Sequence, residues 1–241
     1  MPSAPPLAPP PSPLPRPLPR PLPTRRGSAA TTDSLIQQLP EPLRPLAQRG
    51  ELRRYAKGVR LVHEGEQGDT LFIILKGRLR AFGTGSNGRE ITYGTYGAGE
   101  YLGEMSLDGG PRSASVSALE ATECAVITRH TIRLHIAEHP EFAFDLLAKV
   151  IRRARTATHT AKQLALNDVY GRLVLLLNAL AVPQLNGLRL VEERLTHQEM
   201  ANRLGCSREM VSRLMKDLEL GAYVAVSAQA ITLLKALPPR W

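Results

Sequence analysis

Cysteine is nearly absent. Cys124 and Cys206 are too few for a disulfide framework or for the four thiolates of an iron–sulfur cluster. Long apolar runs are absent too: the best candidate, 173–182, falls short of the ~18 residues of a membrane span and is interrupted by Asn178. The N-terminus has no apolar core of a secretory signal. No nucleophile–base pair or metal-ligand cluster stands out, and the six histidines (His63, His130, His135, His139, His159 and His197) are scattered. These absences predict a soluble cytoplasmic protein that is not an enzyme, holds no metal and has no membrane partner.

Acidic residues are missing from the first 30 positions, where four arginines give +4 and 12 prolines recur in Pro-Leu-Pro-Arg units. Such a segment favours extended polyproline II and cannot bury a core, so 1–30 is expected to be a disordered tail. It reads as a solvated tail without a specific partner. A proline-binding domain, or nucleic acid held by Arg16, Arg20, Arg25 and Arg26, is the alternative. Arg25-Arg26-Gly27-Ser28 has the form of a kinase substrate site, which a basic, small-residue composition also produces by coincidence. The rest of the net charge of +9 divides into +2 over 31–160 and +3 over 161–241. A basic C-terminal third suits a polyanion such as nucleic acid. With 241 residues, the chain can form one or two domains with substantial cores.

Short helices are expected at 33–39 and 41–49. From 53 to 129 the pattern turns to short strands of period two, broken by glycine about every ten residues, which argues for a β-roll or barrel. Strands are read at 60–63, 70–75, 78–82, 90–96, 116–119 and 123–127, with a hairpin turn at 83–88, where Asn87-Gly88 suits positive φ. Helix takes over at 130–138. From Glu141 there is no glycine or proline until Gly171, predicting one long helix with a bend near Leu166-Asn167. Leu147, Ile151, Ala154, Thr158, Ala161 and Ala165 recur at spacings of four and three, the seam of a coiled coil. Burial of Leu147 and Ile151 against the chain's own β-roll is the other reading, and the small remainder of the seam favours a dimer helix.

Asp168 caps the next helix, followed by a loop at 182–187 and a strand at 188–191. Thr196-His197-Gln198-Glu199 is a capping box that starts a helix to Leu204. Gly205-Cys206-Ser207 makes a turn, and Ser207 caps a second helix reaching about Leu220. Ala201, Leu204, Val211 and Leu214 supply the contact between the two, and Arg208, Glu209, Arg213 and Lys216 lie outside. This is a helix-turn-helix with a hairpin wing at 223–226 and 231–234, against the plainer possibility of a helical hairpin with a solvated face.

The stretch 103–115 has the chemistry of a phosphate-and-sugar cradle. Arg112 carries a planar fork of donors, and Ser113 adds a hydroxyl and an N–H. Glu104 can accept from a sugar hydroxyl, and glycines at 103, 109 and 110 permit close backbone approach. A pairing of Glu104 with Arg112 across the turn is the non-functional alternative.

Together these two motifs resemble the CRP/FNR family of bacterial transcription regulators over about 35–235. The resemblance implies an α+β fold: tail at 1–30, cyclic-nucleotide-binding β-roll at 31–139, dimerisation helix at 140–166 and winged helix-turn-helix at 167–241. It implies that Glu104 holds a ribose hydroxyl, that Arg112 and Ser113 hold the cyclic phosphate, and that Gly103, Met105 and Ala114 line the site. In the cAMP-responsive branch two adjacent hydroxyl residues of the long helix contact adenine; here these positions are Ala157 and Thr158. Only Thr158 keeps a hydroxyl, which leaves the base open: cAMP is the first expectation, with a related cyclic nucleotide or cyclic di-GMP as alternatives.

For DNA, the resemblance places Arg208 and Arg213 on guanine O6 and N7 and Glu209 on a cytosine amine, in a TGTGA-like half-site. Thr196, His197, Gln198, Ser207 and Lys216 complete the expected DNA-binding set, positioning rather than specifying. A homodimer on a palindrome of double-stranded DNA, with RNA polymerase as a further partner, follows from the same resemblance. Two rival classes remain: a constitutive DNA-binding protein whose roll has lost its ligand, and a kinase regulatory subunit, which normally carries tandem cassettes.

Overall fold

The computed structural model describes residues 29–184, 187–193, 195–227 and 230–238. The proline-rich tail, including Arg25-Arg26-Gly27-Ser28, lies outside the described residues. Helix α1 (Ala29–Gln37) leads through a 3₁₀ turn at Glu41–Leu43 into α2 (Arg44–Gln48). The single helix expected over 41–49 is broken because Pro45 has no N–H to continue the turn, while proline is tolerated in the first turn of a new helix.

Strands β1 (Glu51–Tyr55), β2 (Arg60–Val62), β3 (Thr70–Lys76), β4 (Leu79–Thr84), β5 (Glu90–Tyr96), β6 (Tyr101–Leu102), β7 (Ser115–Ala118) and β8 (Thr122–Thr128) form a roll. Its two antiparallel sheets have the orders β1-β8-β3-β6 and β2-β7-β4-β5. The continuous apolar run of β3 is explained by cover on both faces. Leu71, Ile73 and Leu75 point to a core shared with Leu46, Ile132 and Phe142 of the flanking helices. Phe72 and Ile74 point into the roll against Leu79, Leu102 and Val116. Strand β8 divides in the same way, Ala125 and Ile127 on one side and Cys124 and Val126 on the other.

Helix α3 (Arg129–Glu138) is capped by Thr128, whose hydroxyl accepts from Thr131 N at 3.2 Å. Helix α4 (Glu141–Leu166) runs unbroken for 26 residues. Asp168 then caps α5 (Val169–Leu180), its Oδ1 accepting from Gly171 N at 2.7 Å. Beyond lie β9 (Val182–Pro183), β10 (Arg189–Val191), α6 (His197–Leu204), α7 (Arg208–Leu220), β11 (Val224–Val226) and β12 (Ile231–Leu233). The wing is larger than a hairpin: the four short strands form one sheet in the order β11-β12-β10-β9. The loop expected at 182–187 therefore opens as a strand, with Val182 opposite Leu190. Positions 185 and 186 lie outside the described residues.

The two thiols have different surroundings. Cys124 is fully buried in the roll, and burial pushes its pKa up to about 12. Cys206 is half-buried at the helix-turn-helix turn; burial raises its pKa, with Arg172 and Arg89 pulling it back. At pH 8 a colorimetric disulfide reagent is expected to titrate one thiol per folded chain and two after denaturation. Release of both thiols from the native protein would contradict this arrangement.

Candidate functional site

Gly103 takes φ +98°, a conformation suited to glycine, and a Cβ there would lie 2.5 Å from Thr70 O. It starts a 3₁₀ turn, Glu104–Ser106, that aims Glu104 inward, where the residue is only 5% exposed. The Glu104 carboxylate does not pair with Arg112. Its Oε1 accepts from Nη1 of Arg153 on α4, and Arg153 Nη2 donates to Tyr101 O at 2.8 Å. Glu104 Oε2 is buried with no hydrogen-bond partner among the described residues. A buried acceptor in that state is costly, and a hydroxyl is one kind of donor that can satisfy it.

Arg112 departs from expectation. It is 7% exposed and turned into the fold, where Nη1 donates to Thr70 O at 2.9 Å, Gly103 O at 3.2 Å and Ser106 Oγ at 2.7 Å. Nη2 donates to Thr70 Oγ1 at 2.8 Å. Burial holds its pKa below the usual guanidinium value, opposed by Asp69, Glu104 and Glu66. The expected open fork is thus a brace between the cassette and β3. Gly68 makes this possible, since a Cβ there would lie 2.6 Å from Arg112 Nε.

Ser113 is exposed, its hydroxyl only 3.5 Å from Met105 Sδ, and Met105 itself is exposed. Ala114 is half-buried against the roll core. Of the expected site residues, Met105 and Ser113 are thus exposed, while Glu104 and Arg112 are buried. Thr158 is exposed on α4, with Oγ1 donating to Ala154 O at 3.0 Å.

Helix α4 carries two working faces. Phe142, Leu146, Lys149 and Arg153, at spacings of four, three and four, face the roll. Phe142 is buried, and Lys149 Nζ sits 3.8 Å from the Tyr101 ring centroid. Burial, then the charge of Arg153, lowers the Lys149 pKa to about 8. The opposite face is open: Leu147 is 54% and Ile151 42% exposed, so neither is buried against the chain's own roll. Reading 103–115 alone missed Arg153 and Lys149. Their signal was basic residues in phase with Phe142 and Leu146 on one helix face.

At the other end of the chain, Thr196 and Glu199 form the expected capping box, with the Thr196 hydroxyl accepting from Glu199 N at 3.1 Å. That hydroxyl also donates to Glu199 Oε2 at 2.8 Å. His197 Nδ1 lies 2.8 Å from Ser212 Oγ, tying α6 to α7. Gln198 is exposed, and Ser207 caps α7, accepting from Met210 N at 3.2 Å. Arg208, Glu209, Arg213 and Lys216 are all exposed on α7. The Glu209 carboxyl is held below its usual range by its own backbone N–H, then by the Ser207 hydroxyl, Arg208 and Arg89. It is an ionised acceptor. Between α6 and α7, Gly205 takes φ +67°.

The cyclic nucleotide-binding domain family matches residues 52–139, and the crp family of bacterial regulatory proteins matches 194–220. The cAMP-activated global transcriptional regulator CRP of Escherichia coli O6:H1 is 33% identical over 175 residues, 70% of this chain and 82% of the relative. The chain belongs to the CRP/FNR family. A CRP-like cAMP-activated global regulator of Mycobacterium tuberculosis is 29% identical over 202 residues, 82% of this chain and 87% of the relative. Among solved structures, the c-di-GMP responsive global regulator CLP of Xanthomonas campestris superposes with a TM-score of 0.72 at 23% identity, over 80% of this chain and 98% of that one. That likeness shows the CRP/FNR fold. The chain is therefore a CRP/FNR-type transcriptional regulator with a cyclic nucleotide-binding domain. No described helix is long and apolar enough to cross a membrane, and the described residues contain no cluster of three or more potential metal ligands.

Proposed function

We propose that this regulator senses a cyclic nucleotide, cAMP first, in the 103–115 cassette, and that as a homodimer it binds a TGTGA-like palindrome. The observation that carries the ligand reading is the buried, unpartnered Glu104 Oε2 beside a charge pair to α4. Glu104, Ser113 and the backbone around Gly103 take the sugar and phosphate, with Met105 and Ala114 flanking them. Arg112 braces the floor and meets the phosphate by giving up part of its internal bonds. Thr158 approaches the base, and Ala157 leaves the base's identity to the remaining contacts.

The open α4 face of Leu147, Ile151 and the small residues beyond supports the dimer seam. Arg208, Glu209 and Arg213 read bases. Gln198, Ser207 and Lys216 meet phosphates, as do Thr196 and His197 through what their caps and ties leave free. RNA polymerase is the further partner this reading carries.

Binding in the cassette biases Arg153 and thereby α4, whose C-terminal end leads directly to the Asp168 cap of the reading domain. Ligand and DNA then favour one posture, and their coupling is reciprocal. Calorimetric titration with cAMP, cGMP and cyclic di-GMP tests the sensor. Saturable binding of a cyclic mononucleotide that weakens at least tenfold in Glu104→Ala is expected. No binding of cAMP or cGMP, or binding indifferent to Glu104, would contradict the cassette reading.

A further inference from the structure

The helix-turn-helix is docked on the sensor. Arg80 of β4 lies 4.2 Å from the Phe82 ring centroid and donates to Glu90 Oε2 at 2.6 Å. The Asn202 amide of α6 lies 3.1 Å from Arg80 Nη1 and would accept from it with the amide oxygen turned toward the guanidinium. At Gly205 a Cβ would lie 3.5 Å from Ile91 Cδ1 and 3.7 Å from Leu164 Cδ2, so the turn between α6 and α7 rests beside β5 and the end of α4. This docking sets the β4–β5 hairpin tip against the N-terminal end of α7. The two sides share a cleft of about 450 Å³, with Asn87 and Arg89 on one wall and Gln198, Ser207, Arg208 and Glu209 on the other.

The tip is a defined shape rather than a loose loop. Gly85 N donates to Arg89 O at 2.8 Å, Gly88 takes φ +75°, and Asn87 Oδ1 accepts from Arg89 N at 3.1 Å. Those bonds use only the Arg89 backbone, and the residue is exposed. Its charge is felt across the cleft, since it helps hold Glu209 ionised and opposes part of the rise that burial gives the Cys206 pKa.

We propose that Arg89, although it belongs to the sensor domain, is a DNA-backbone contact that completes the reading surface of the helix-turn-helix. This rests on the DNA reading above. If Gln198 and Ser207 lie along the phosphates, the strand passes the mouth of the cleft on which Arg89 opens, and a guanidinium there suits a phosphate oxygen. A sensor-borne contact has a consequence for regulation. DNA gains it only when the roll and the reading head are docked as here, so the posture itself is read out in affinity.

The test is fluorescence anisotropy with two duplexes, one carrying a TGTGA palindrome and one scrambled, over a salt series with and without cAMP. Arg89→Ala should weaken both duplexes alike, on the order of tenfold, and flatten the slope of log affinity against log salt by about 1 per bound subunit. Arg89→Lys should retain most of the affinity and slope, which separates a phosphate contact from a damaged hairpin. Wild-type binding left unchanged in affinity and slope by Arg89→Ala would overturn the inference alone, as would a loss confined to the TGTGA duplex. A wild-type protein that binds neither duplex would overturn the DNA reading and this inference with it.

Discussion

Arg153→Leu is expected to destabilise the protein by roughly 3–5 kcal/mol, because it strands the Glu104 carboxylate in a site fully shielded from solvent. Glu104 Oε2 already lacks a partner among the described residues, so the loss of Arg153 would take the cation from Oε1 as well. The Arg153 side chain is 20% exposed, little enough that solvent does not screen the pair away. Arg153 also donates to Tyr101 O, so the variant loses the tie between α4 and β6 as well. On a domain of this size the melting temperature should fall by about 10 °C or more. Neutralising the stranded acid should return part of the loss: Glu104→Gln combined with Arg153→Leu is expected to melt above Arg153→Leu alone. A single variant that melts with wild type would show that Glu104 and Arg153 do not form a buried pair.

Arg208→Ala and Arg213→Ala are expected to abolish discrimination between a TGTGA palindrome and unrelated DNA. A bidentate arginine–guanine contact is worth about 1–3 kcal/mol, and a symmetric dimer loses it twice, so each variant should cost about 30-fold to more than 1,000-fold on the palindrome. Both side chains are exposed, so no comparable loss of stability should accompany the change. On unrelated DNA the loss should be much smaller, since there an arginine supplies charge alone. Competition binding with base-substituted half-sites checks this. Equal losses on specific and unrelated duplexes would mean that neither residue reads a base.

Much of the local architecture was legible because it is local. The Thr196–Glu199 capping box, the Asp168 cap and the Asn87-Gly88 turn each depend on residues within three or four positions, and all form as read. The apolar run of β3 was legible as a strand as well, although only the packed roll shows its alternate residues feeding two cores. Long-range partners were not. Arg153 reaches Glu104 across 49 positions, and nothing in 103–115 announces a cation from α4. The inward turn of Arg112 depends on Thr70, 42 positions away, and on the missing Cβ of Gly68. The open face of α4 was visible as a seam, but only the packed roll shows Leu147 and Ile151 facing away from it.

Arg112 also changes how the sensor should be tested. Arg112→Leu would remove a phosphate partner and, at the same time, four internal bonds, two to Thr70 of β3 and two within the cassette. Its loss of ligand response would mix binding with folding, whereas Ser113→Ala touches an exposed hydroxyl and leaves the brace in place.

The most direct measurement is the affinity of the purified protein for a TGTGA palindrome with and without saturating cAMP, cGMP or cyclic di-GMP. Coupling through Glu104, Arg153 and α4 predicts that a cyclic mononucleotide tightens binding at least fivefold, about 1 kcal/mol or more. A shift below twofold with every one of these nucleotides would contradict the ligand switch.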